Sequence, residues 1–312
     1  MALKAIVTGG AGFIGSHIAR RLVEQGAEVT IIDDLSTGNL NSIKDIAGKV
    51  NFIQGRSGLI SKLPAVDVVF HEGIPSSTPI YRNDRKKVAE AIDDFIEVLE
   101  YCTKSNAKLV FASSSSIYNG HQPPHREDML PLVKDYYTEA RYSMERLAQL
   151  YHDMSGLSYV ALRYFSVYGY REEHKKGFAN MISQALWKAL LGNELTIYGD
   201  GSQRRDFVFV EDVVDANLQA YERSVEGVYN VGTGNSLSFN EMIEKVEEVT
   251  GKKPKVNYVP NPLKNYVDVV EADTEKMKGE LGFVPKTKLE EGIQAAYAHY
   301  SSLPKEEIPN IP

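Results

Sequence analysis

The sequence predicts a doubly wound α/β fold, a parallel sheet covered by helices on both faces, joined to a smaller mixed α/β lobe towards the C-terminus. Three observations carry this reading. A short apolar strand at the start of the chain runs through a glycine-rich turn straight into a helix-periodic stretch. Short apolar runs then alternate with helical stretches as far as Tyr164. Beyond Tyr164 the alternation gives way to helices punctuated by turn clusters. Alternation of the first kind belongs to parallel sheets wound on both faces.

Taken in order, Lys4 to Val7 reads as the first strand and Phe13 to Leu22 as the first helix. Val29 to Asp33, Val50 to Gln54, Val66 to His71, Lys108 to Ser113 and Tyr159 to Tyr164 follow as strands. They are apolar with little alternation, the pattern of strands buried on both faces. Val88 to Lys104 and Tyr137 to Ser155 are the intervening helices. In the second part, helices are expected at Gly177 to Leu191, Glu211 to Arg223, Ser238 to Thr250, Asp273 to Leu281 and Leu289 to Ser301. Gly199-Asp200-Gly201-Ser202 and Gly232-Thr233-Gly234-Asn235 mark turns between them. The segment Pro304 to Pro312, rich in proline and charge, is expected to be a loose tail. The division that follows assigns residues 1–165 and 206–232 to the sheet domain, and 166–205 with 233–312 to the second lobe.

Composition narrows the function classes. The 312 residues carry 35 Lys and Arg against 42 Asp and Glu, a formal charge of −7. That balance argues against a nucleic-acid or membrane-surface protein. Cys102 is the only cysteine, so neither an intrachain disulfide nor a cysteine-based metal site is available. Its apolar surroundings, Val98-Leu99-Glu100-Tyr101, read as core packing. No His/Asp/Glu spacing suggests a metal. No signal-like leader precedes the first strand and no apolar run approaches membrane length, which predicts a cytoplasmic protein.

The turn Thr8-Gly9-Gly10-Ala11-Gly12-Phe13-Ile14-Gly15 carries the first chemistry. Between a strand and a helix this spacing is a dinucleotide fingerprint. Gly9 lets the chain leave the strand tightly, Gly12 holds no Cβ against a pyrophosphate, and Gly15 lets helix and strand press together. The helix N-terminus then offers backbone N–H groups to phosphate. Eighteen residues past Gly15, Asp33 ends the second strand. A carboxylate there accepts from a ribose 2′-OH and repels a 2′-phosphate, which favours NAD over NADP. The alternative is that Asp33 and Asp34 simply open a loop. Phe13, Ile14, Asp34, Ser36 and Gly38 complete the candidate cofactor-binding set.

Two further stretches follow: Ser113-Ser114-Ser115-Ser116-Ile117-Tyr118, and Tyr137-Thr138-Glu139-Ala140-Arg141 with Glu145 on the same helix. To these are added Leu162-Arg163-Tyr164-Phe165, Val167-Tyr168-Gly169, Tyr198-Gly199-Asp200-Gly201, Gln203-Arg204-Arg205-Asp206-Phe207 and Tyr229-Asn230-Val231-Gly232. In this order the motifs resemble the extended short-chain dehydrogenase/reductase family, and within it the nucleotide-sugar epimerases and dehydratases, in type nearest the UDP-glucose (UDP-galactose) 4-epimerases. The resemblance implies that Tyr137, as phenolate, takes the proton of a sugar 4-OH while NAD accepts hydride. A free tyrosine titrates near ~10, so the phenolate needs positive charge nearby. The nicotinamide supplies one charge and Arg141, one helical turn along, another. Ser114 matches the family's catalytic serine or threonine. Serines 115 and 116 stand where the 4,6-dehydratases carry an Asp-Glu pair, which argues for epimerisation over dehydration. The resemblance also implies a homodimer through the helices bearing Cys102 and Tyr137, although the apolar positions of residues 88–102 equally suit packing on the sheet.

The chain departs from the family's pattern at several positions. Tyr-x-x-x-Lys becomes Tyr137-x-x-x-Arg141, Ala91 replaces a bracing asparagine, Arg56 replaces an adenine-binding aspartate, and Ser166 replaces an asparagine at the nucleotide diphosphate. His71-Glu72-Gly73-Ile74-Pro75-Ser76-Ser77 replaces a His-x-Ala-Ala-like run, and Lys264-Asn265-Tyr266 stands in place of an Arg-Pro-Gly-Asp segment. On the substrate side Arg205 matches a phosphate-binding arginine, the alternative being a surface pair with Asp206 or Asp200. Arg171 is a weaker diphosphate candidate, and Ser76, Ser77, Ser114 and Ser166 are candidates for the sugar and nucleotide. The leading expectation is therefore an NAD-dependent UDP-hexose 4-epimerase working through a transient 4-keto sugar. The alternatives are a nucleotide-sugar dehydratase or reductase of the same family, or a nucleotide-binding homologue that has lost catalysis.

Overall fold

Strands that are apolar on both faces need helices on both sides, and the chain supplies them in sequence. The computed structural model describes residues 2–262 and 267–311. In order come β1 (Lys4–Thr8), α1 (Phe13–Glu24), β2 (Glu28–Asp33), β3 (Val50–Gln54), β4 (Val68–His71), α2 (Thr78–Asn83), α3 (Lys86–Ser105), β5 (Lys108–Ser114), α4 (Tyr136–Ser155) and β6 (Tyr159–Tyr164). There follow β7 (Ser166–Tyr168), α5 (Met181–Leu191), β8 (Glu194–Tyr198), β9 (Arg204–Phe209), α6 (Val210–Glu222) and β10 (Gly227–Val231). The last elements are β11 (Ser236–Ser238), α7 (Phe239–Thr250), β12 (Lys255–Val259), β13 (Val269–Val270) and α8 (Leu289–Ser302).

Seven strands form one parallel sheet in the order β3-β2-β1-β4-β5-β6-β10. This is a Rossmann-like arrangement, with the strand order reversing between β1 and β4. Every residue of β4 and β6 is buried, which explains their unalternating apolar sequences. In the second part, β9 pairs with β7, β11 and β13, while β8 and β12 form a separate parallel pair. One apolar core lies against the large sheet, around Ile6, Val69, Phe111 and Leu162. A second gathers Trp187, Phe209, Phe239 and Tyr300 and takes in Phe13 from the start of α1. Cys102 is buried on α3, and the burial pushes its thiol up. Phe95, Val98 and Leu99 on the same helix join the sheet core, while Ile96 stays exposed.

Several expectations are corrected. Residues 304–312 were expected to hang loose, but Ile308 and Ile311 are buried and Lys188 donates to the Ile311 carbonyl. Two isoleucines spaced along a proline-rich segment anchor it. The helix expected from Gly177 starts at Met181, because Asn180 caps it by accepting from the Ile182 N–H at 3.0 Å. The helix expected from Asp273 begins two residues later, at Glu275, and its last turn, Met277–Leu281, is a π-turn. The seventh strand, β10, and the short strands of the second lobe carried too few consecutive apolar residues to be read from pattern. Lys264-Asn265-Tyr266 lie outside the described residues.

A buried polar network ties α4 to the sheet. Arg163 donates from Nε and Nη2 to the two Glu145 oxygens at 2.9 and 2.7 Å, and Ser113 Oγ donates to Glu145 Oε1 at 2.5 Å. Arg163 also donates to Tyr118 Oη at 2.7 Å, and Tyr118 donates on to Asn230 at 2.7 Å. Glu145→Leu leaves the Arg163 charge buried without its partner and is expected to cost about 3–5 kcal/mol. Urea unfolding of the two proteins measures this; a midpoint unchanged from wild type would show that the pair adds nothing to stability.

Candidate active site

The glycine turn sits at the carboxyl end of β1, where the sheet order reverses and α/β sheets open a crevice. Gly9 has φ +66°, and a Cβ there would lie 2.6 Å from the backbone nitrogen of Gly73, the second residue past β4. A Cβ on Gly15 would lie 2.3 Å from the Gly9 carbonyl oxygen. Both glycines are therefore required by close packing of the turn. Gly12 occupies the N-cap of α1 and offers no side-chain cap, so the first-turn N–H groups lack a side-chain acceptor. Backbone N–H groups presented in this way suit a pyrophosphate.

A cleft of about 840 Å³ opens over this turn. Gly9, Gly12, Phe13, Ile14, Gly15, Asp33, Asp34 and Ser36 line it on one side, and Ser76, Ser114, Tyr137, Arg141, Ser166 and Arg205 on the other. Asp33 is buried and accepts from the Ala11 and Leu35 N–H groups at 2.9 and 2.8 Å. Burial nonetheless raises its carboxyl above the ordinary range. Two expected site residues lie off the wall. Gly38 packs behind Asp33, where a Cβ would come within 2.6 Å of Oδ1, so it spaces the carboxylate and does not line the cleft. Ser77 is the N-cap of α2 and its Oγ is buried without a partner.

The other end of the cleft is built by the carboxyl ends of β4, β5 and β6. Ser114 closes β5, pairs in register with Tyr164, and accepts from the Ser116 N–H at 3.2 Å. Asp135 caps α4 by accepting from the Thr138 N–H at 2.9 Å, which fixes Tyr137 in the first turn. Arg141, one turn on, is 4 % exposed. Its Nη1 donates to the Ala112 carbonyl at 2.8 Å, its Nη2 reaches the Pro75 carbonyl at 3.5 Å, and its Nε has no partner. The guanidinium lies 5.1 Å from the centre of the Tyr137 ring. Burial works against the Arg141 charge, but Tyr137, Tyr81 and Glu72 outweigh it and raise the group above its ordinary value.

Glu72 is the wall residue that sequence reasoning left without a role. It is an acidic residue directly after a fully buried strand, a signal that was present in the sequence. Its carboxylate accepts from Tyr164 Oη at 2.8 Å, and Tyr164 is bonded in turn to Asn217. Burial pushes Glu72 up to about 7, against the lowering effects of Tyr164 and the Arg141 charge. Lys175, Tyr118 and His125 also line the cleft and were not singled out.

Arg56 lines the cleft but is tied to α3, donating to Asp94 at 3.0 Å and to the Glu90 carbonyl at 3.1 Å. Ala91, on the same helix, is buried and also on the wall. Arg171 pairs with Asp45 at 3.2 Å and is not among the cleft residues. Arg205 is on the wall with its guanidinium 5.5 Å from the centre of the Phe239 ring. Asp206 accepts from Thr233, Gly234 and Ala272, and Asp200 from Ser202. Among the described residues, no group of three His, Cys, Asp or Glu side chains is placed to hold a metal. No helix there is long and apolar enough to cross a membrane.

The sequence pattern of the NAD dependent epimerase/dehydratase family matches residues 5–232. The chain belongs to this family. Relatives of this epimerase/dehydratase include a Methanocaldococcus jannaschii protein named "Putative UDP-glucose 4-epimerase", 35% identical over 93% of this chain and 95% of its own. A UDP-N-acetyl-alpha-D-glucosaminuronate decarboxylase of Bacillus cytotoxicus is 30% identical over 94% of this chain and 96% of its own. Among solved structures, the UDP-glucose 4-epimerase of Thermotoga maritima with UDP-glucose superposes with a TM-score of 0.90 at 31% identity, covering 96% of this chain and 99% of the other. The family thus spans epimerisation and reactions that alter the sugar further, and the family name makes NAD the cofactor of both.

The turn's packing gives a direct test. Gly15→Ala forces a Cβ against the Gly9 carbonyl and is expected to weaken NAD binding by about tenfold or more. Calorimetric titration of purified variant and parent measures it; equal affinities would show that the turn does not hold the dinucleotide.

Proposed function

We propose that this protein is an NAD-dependent UDP-hexose 4-epimerase acting through a transient 4-keto sugar. The observation that carries the reading is the meeting of Tyr137, Arg141 and Ser114 at one end of the cleft whose other end is the glycine turn and Asp33. Residues 1–165 with 206–232 hold NAD in this reading, and 166–205 with 233–312 hold the nucleotide sugar. Bound between the glycine turn, Asp33 and the Tyr137 end of the cleft, NAD would supply the hydride acceptor and donor for C4 of the sugar.

The chain's own residues do the rest. Tyr137 Oη takes the proton of the 4-OH and gives it back. Ser114 Oγ shares the hydrogen bond to that oxygen. Arg141 sets a fixed positive charge behind the tyrosine ring, held in place by the Ala112 and Pro75 carbonyls. Arg205 and Ser166 face the nucleotide diphosphate, for which a guanidinium fork is suited. Ser76 faces the sugar. Asp33 accepts from the adenosine ribose, with Asp34 and Ser36 beside it. Neither Ser115 nor Ser116 can act as a general acid or base near neutral pH, which supports epimerisation over 4,6-dehydration. A homodimer, on family resemblance, and a cytoplasmic location complete the reading.

Incubation with UDP-glucose, and separately with UDP-N-acetylglucosamine, tests this by chromatography of the products. The 4-epimer is expected with no net NADH formed. A stable keto product or net cofactor turnover would assign the dehydratase or reductase chemistry instead, and binding without turnover for every sugar tried would remove the enzyme reading. Tyr137→Phe is expected to lower kcat by about 10²- to 10⁴-fold, since the proton then has no acceptor. Arg141→Lys keeps the charge but loses the fork, and a lower kcat is expected. Activity found only in that variant would show that the natural protein does not use this mechanism.

A further inference from the structure

We infer that Glu72 is the countercharge of the site and biases it towards the oxidised, cationic form of the nicotinamide. The inference rests on the proposed NAD chemistry and on four observations. Arg141 is buried, yet among the described residues no carboxylate approaches it within ion-pair distance. Glu72 is the only carboxylate among the groups that act most strongly on its charge. Glu72 lines the cleft with one oxygen held by Tyr164, while its second oxygen, Oε2, has no hydrogen bond from the described residues. Finally, Glu72 follows β4 directly, beside the ends of β5 and β6 that carry Ser114 and Tyr164.

The topology says which end of a dinucleotide this is. Asp33 lies at the end of β2, on one side of the glycine turn, and takes the adenosine. The nicotinamide then falls on the other side, over β4 to β6, where Glu72 and Arg141 stand. Oxidised nicotinamide is a cation and reduced nicotinamide is neutral. Arg141 alone opposes the cation, whereas an ionised Glu72 offsets Arg141 and favours it. Glu72 gains its proton near pH 7 in the ligand-free protein because burial opposes its charge. Binding of the cation draws the group back to its ionised form and releases a proton. The preference for NAD⁺ over NADH therefore rises with pH through neutrality and levels off above it.

The other groups facing Glu72 and Arg141 keep their state over this range. His71 on β4 is buried beside the Arg141 charge and pushed down to about 3, Tyr81 on α2 is pushed up to about 12 by burial, and Tyr164 on β6 lies well above its ordinary value. Asn217 on α6 does not titrate. Tyr137 on α4 also faces Arg141, so its contribution is separated by substitution.

The experiment is calorimetric titration of the full-length protein with NAD⁺ and with NADH between pH 6 and pH 8.5. The ratio of the two affinities is expected to move about tenfold towards NAD⁺ across that range, the effect of one nearby charge at an intermediate dielectric. In Glu72→Gln, which keeps the size and the acceptor for Tyr164, the ratio is expected to stay flat at its low-pH value. In Tyr164→Phe, which removes a hydrogen bond that lowers Glu72, the midpoint is expected to move to higher pH. In Tyr137→Phe the pH dependence is expected to persist. A flat ratio in the parent, an unchanged slope in Glu72→Gln, or loss of the slope in Tyr137→Phe would each overturn the inference while leaving NAD binding intact. Failure of the parent to bind either nucleotide would overturn the NAD reading and this inference together.

Discussion

The contact between the turn after β1 and the segment after β4 is the constraint on which the site depends. Gly9 can approach Gly73 as closely as it does only because neither residue carries a side chain at the point of contact. That approach brings Glu72 and the residues after it beside the glycine turn, at the place where the sheet order reverses. A bulkier pair would push the two chain segments apart and widen the crevice. Gly15 applies the same constraint from the helix side, so α1 starts directly over the turn. Thr8 reinforces the same contact, its Oγ1 accepting from the Gly73 N–H at 3.2 Å and meeting His71 Nδ1 at 2.7 Å.

Two buried arginines show how differently the chain handles charge. Arg163 has a bidentate carboxylate in Glu145, and further partners in Tyr118 and the Glu127 carbonyl. Such a fully bonded guanidinium resists rearrangement and serves to hold α4 against β5 and β6. Arg141, on the same helix, has two carbonyl oxygens, an aromatic face and an unpaired Nε. Its charge is left largely uncompensated by direct contacts, and its field is therefore available to the cleft. The well-paired ion holds the helix so that the poorly paired one can act from it.

The sheet was legible because its central strands, β4 and β6 above all, are buried on both faces, and burial on both faces leaves an unbroken apolar run. The first six strands follow from that signal, and α1, α3 and α4 from helical periodicity, but not the six-residue α2. β10 was missed because Gly227-Val228-Tyr229-Asn230-Val231 places a buried asparagine in mid-strand, where it serves the Tyr118 network. The strands of the second lobe are two to six residues long and mostly half-exposed, too short for pattern to separate from loop. Tail residues Ile308 and Ile311 were hidden by the prolines and charges around them. In the cleft, the glycines, Asp33, Ser114, Tyr137 and Arg141 stood in motifs whose spacing carries the chemistry. Gly38 and Ser77 stood in the right stretches but are not among the residues lining the cleft, a matter of local turn geometry that spacing does not encode. An acid directly after an apolar strand marked Glu72, but only the fold places it on the same cleft wall as Arg141 of α4.

The departures from the family's pattern are not scattered. Arg56, Glu72, Ala91 and Arg141 all line the same cleft, and three of them carry charge. Where the pattern has an acid at position 56 the chain has a base, but that base is paired with Asp94, one turn beyond Ala91 on α3. At position 72 the chain has an acid, whose charge acts on the arginine that replaces the usual lysine. Each unusual charge thus has an opposite charge from a neighbouring element, Arg56 with Asp94 and Arg141 with Glu72. An ammonium is a compact point charge that suits a small pocket by itself. A guanidinium spreads its charge over a longer plane and needs more acceptors than one helix turn supplies. A carboxylate across the cleft meets part of that need through space, where a closer ion pair would have pinned the guanidinium away from Tyr137. Read as pairs, the unusual charges stand against opposite charges on the wall of one cleft, so that neither Arg56 nor Arg141 is left without a carboxylate acting on it.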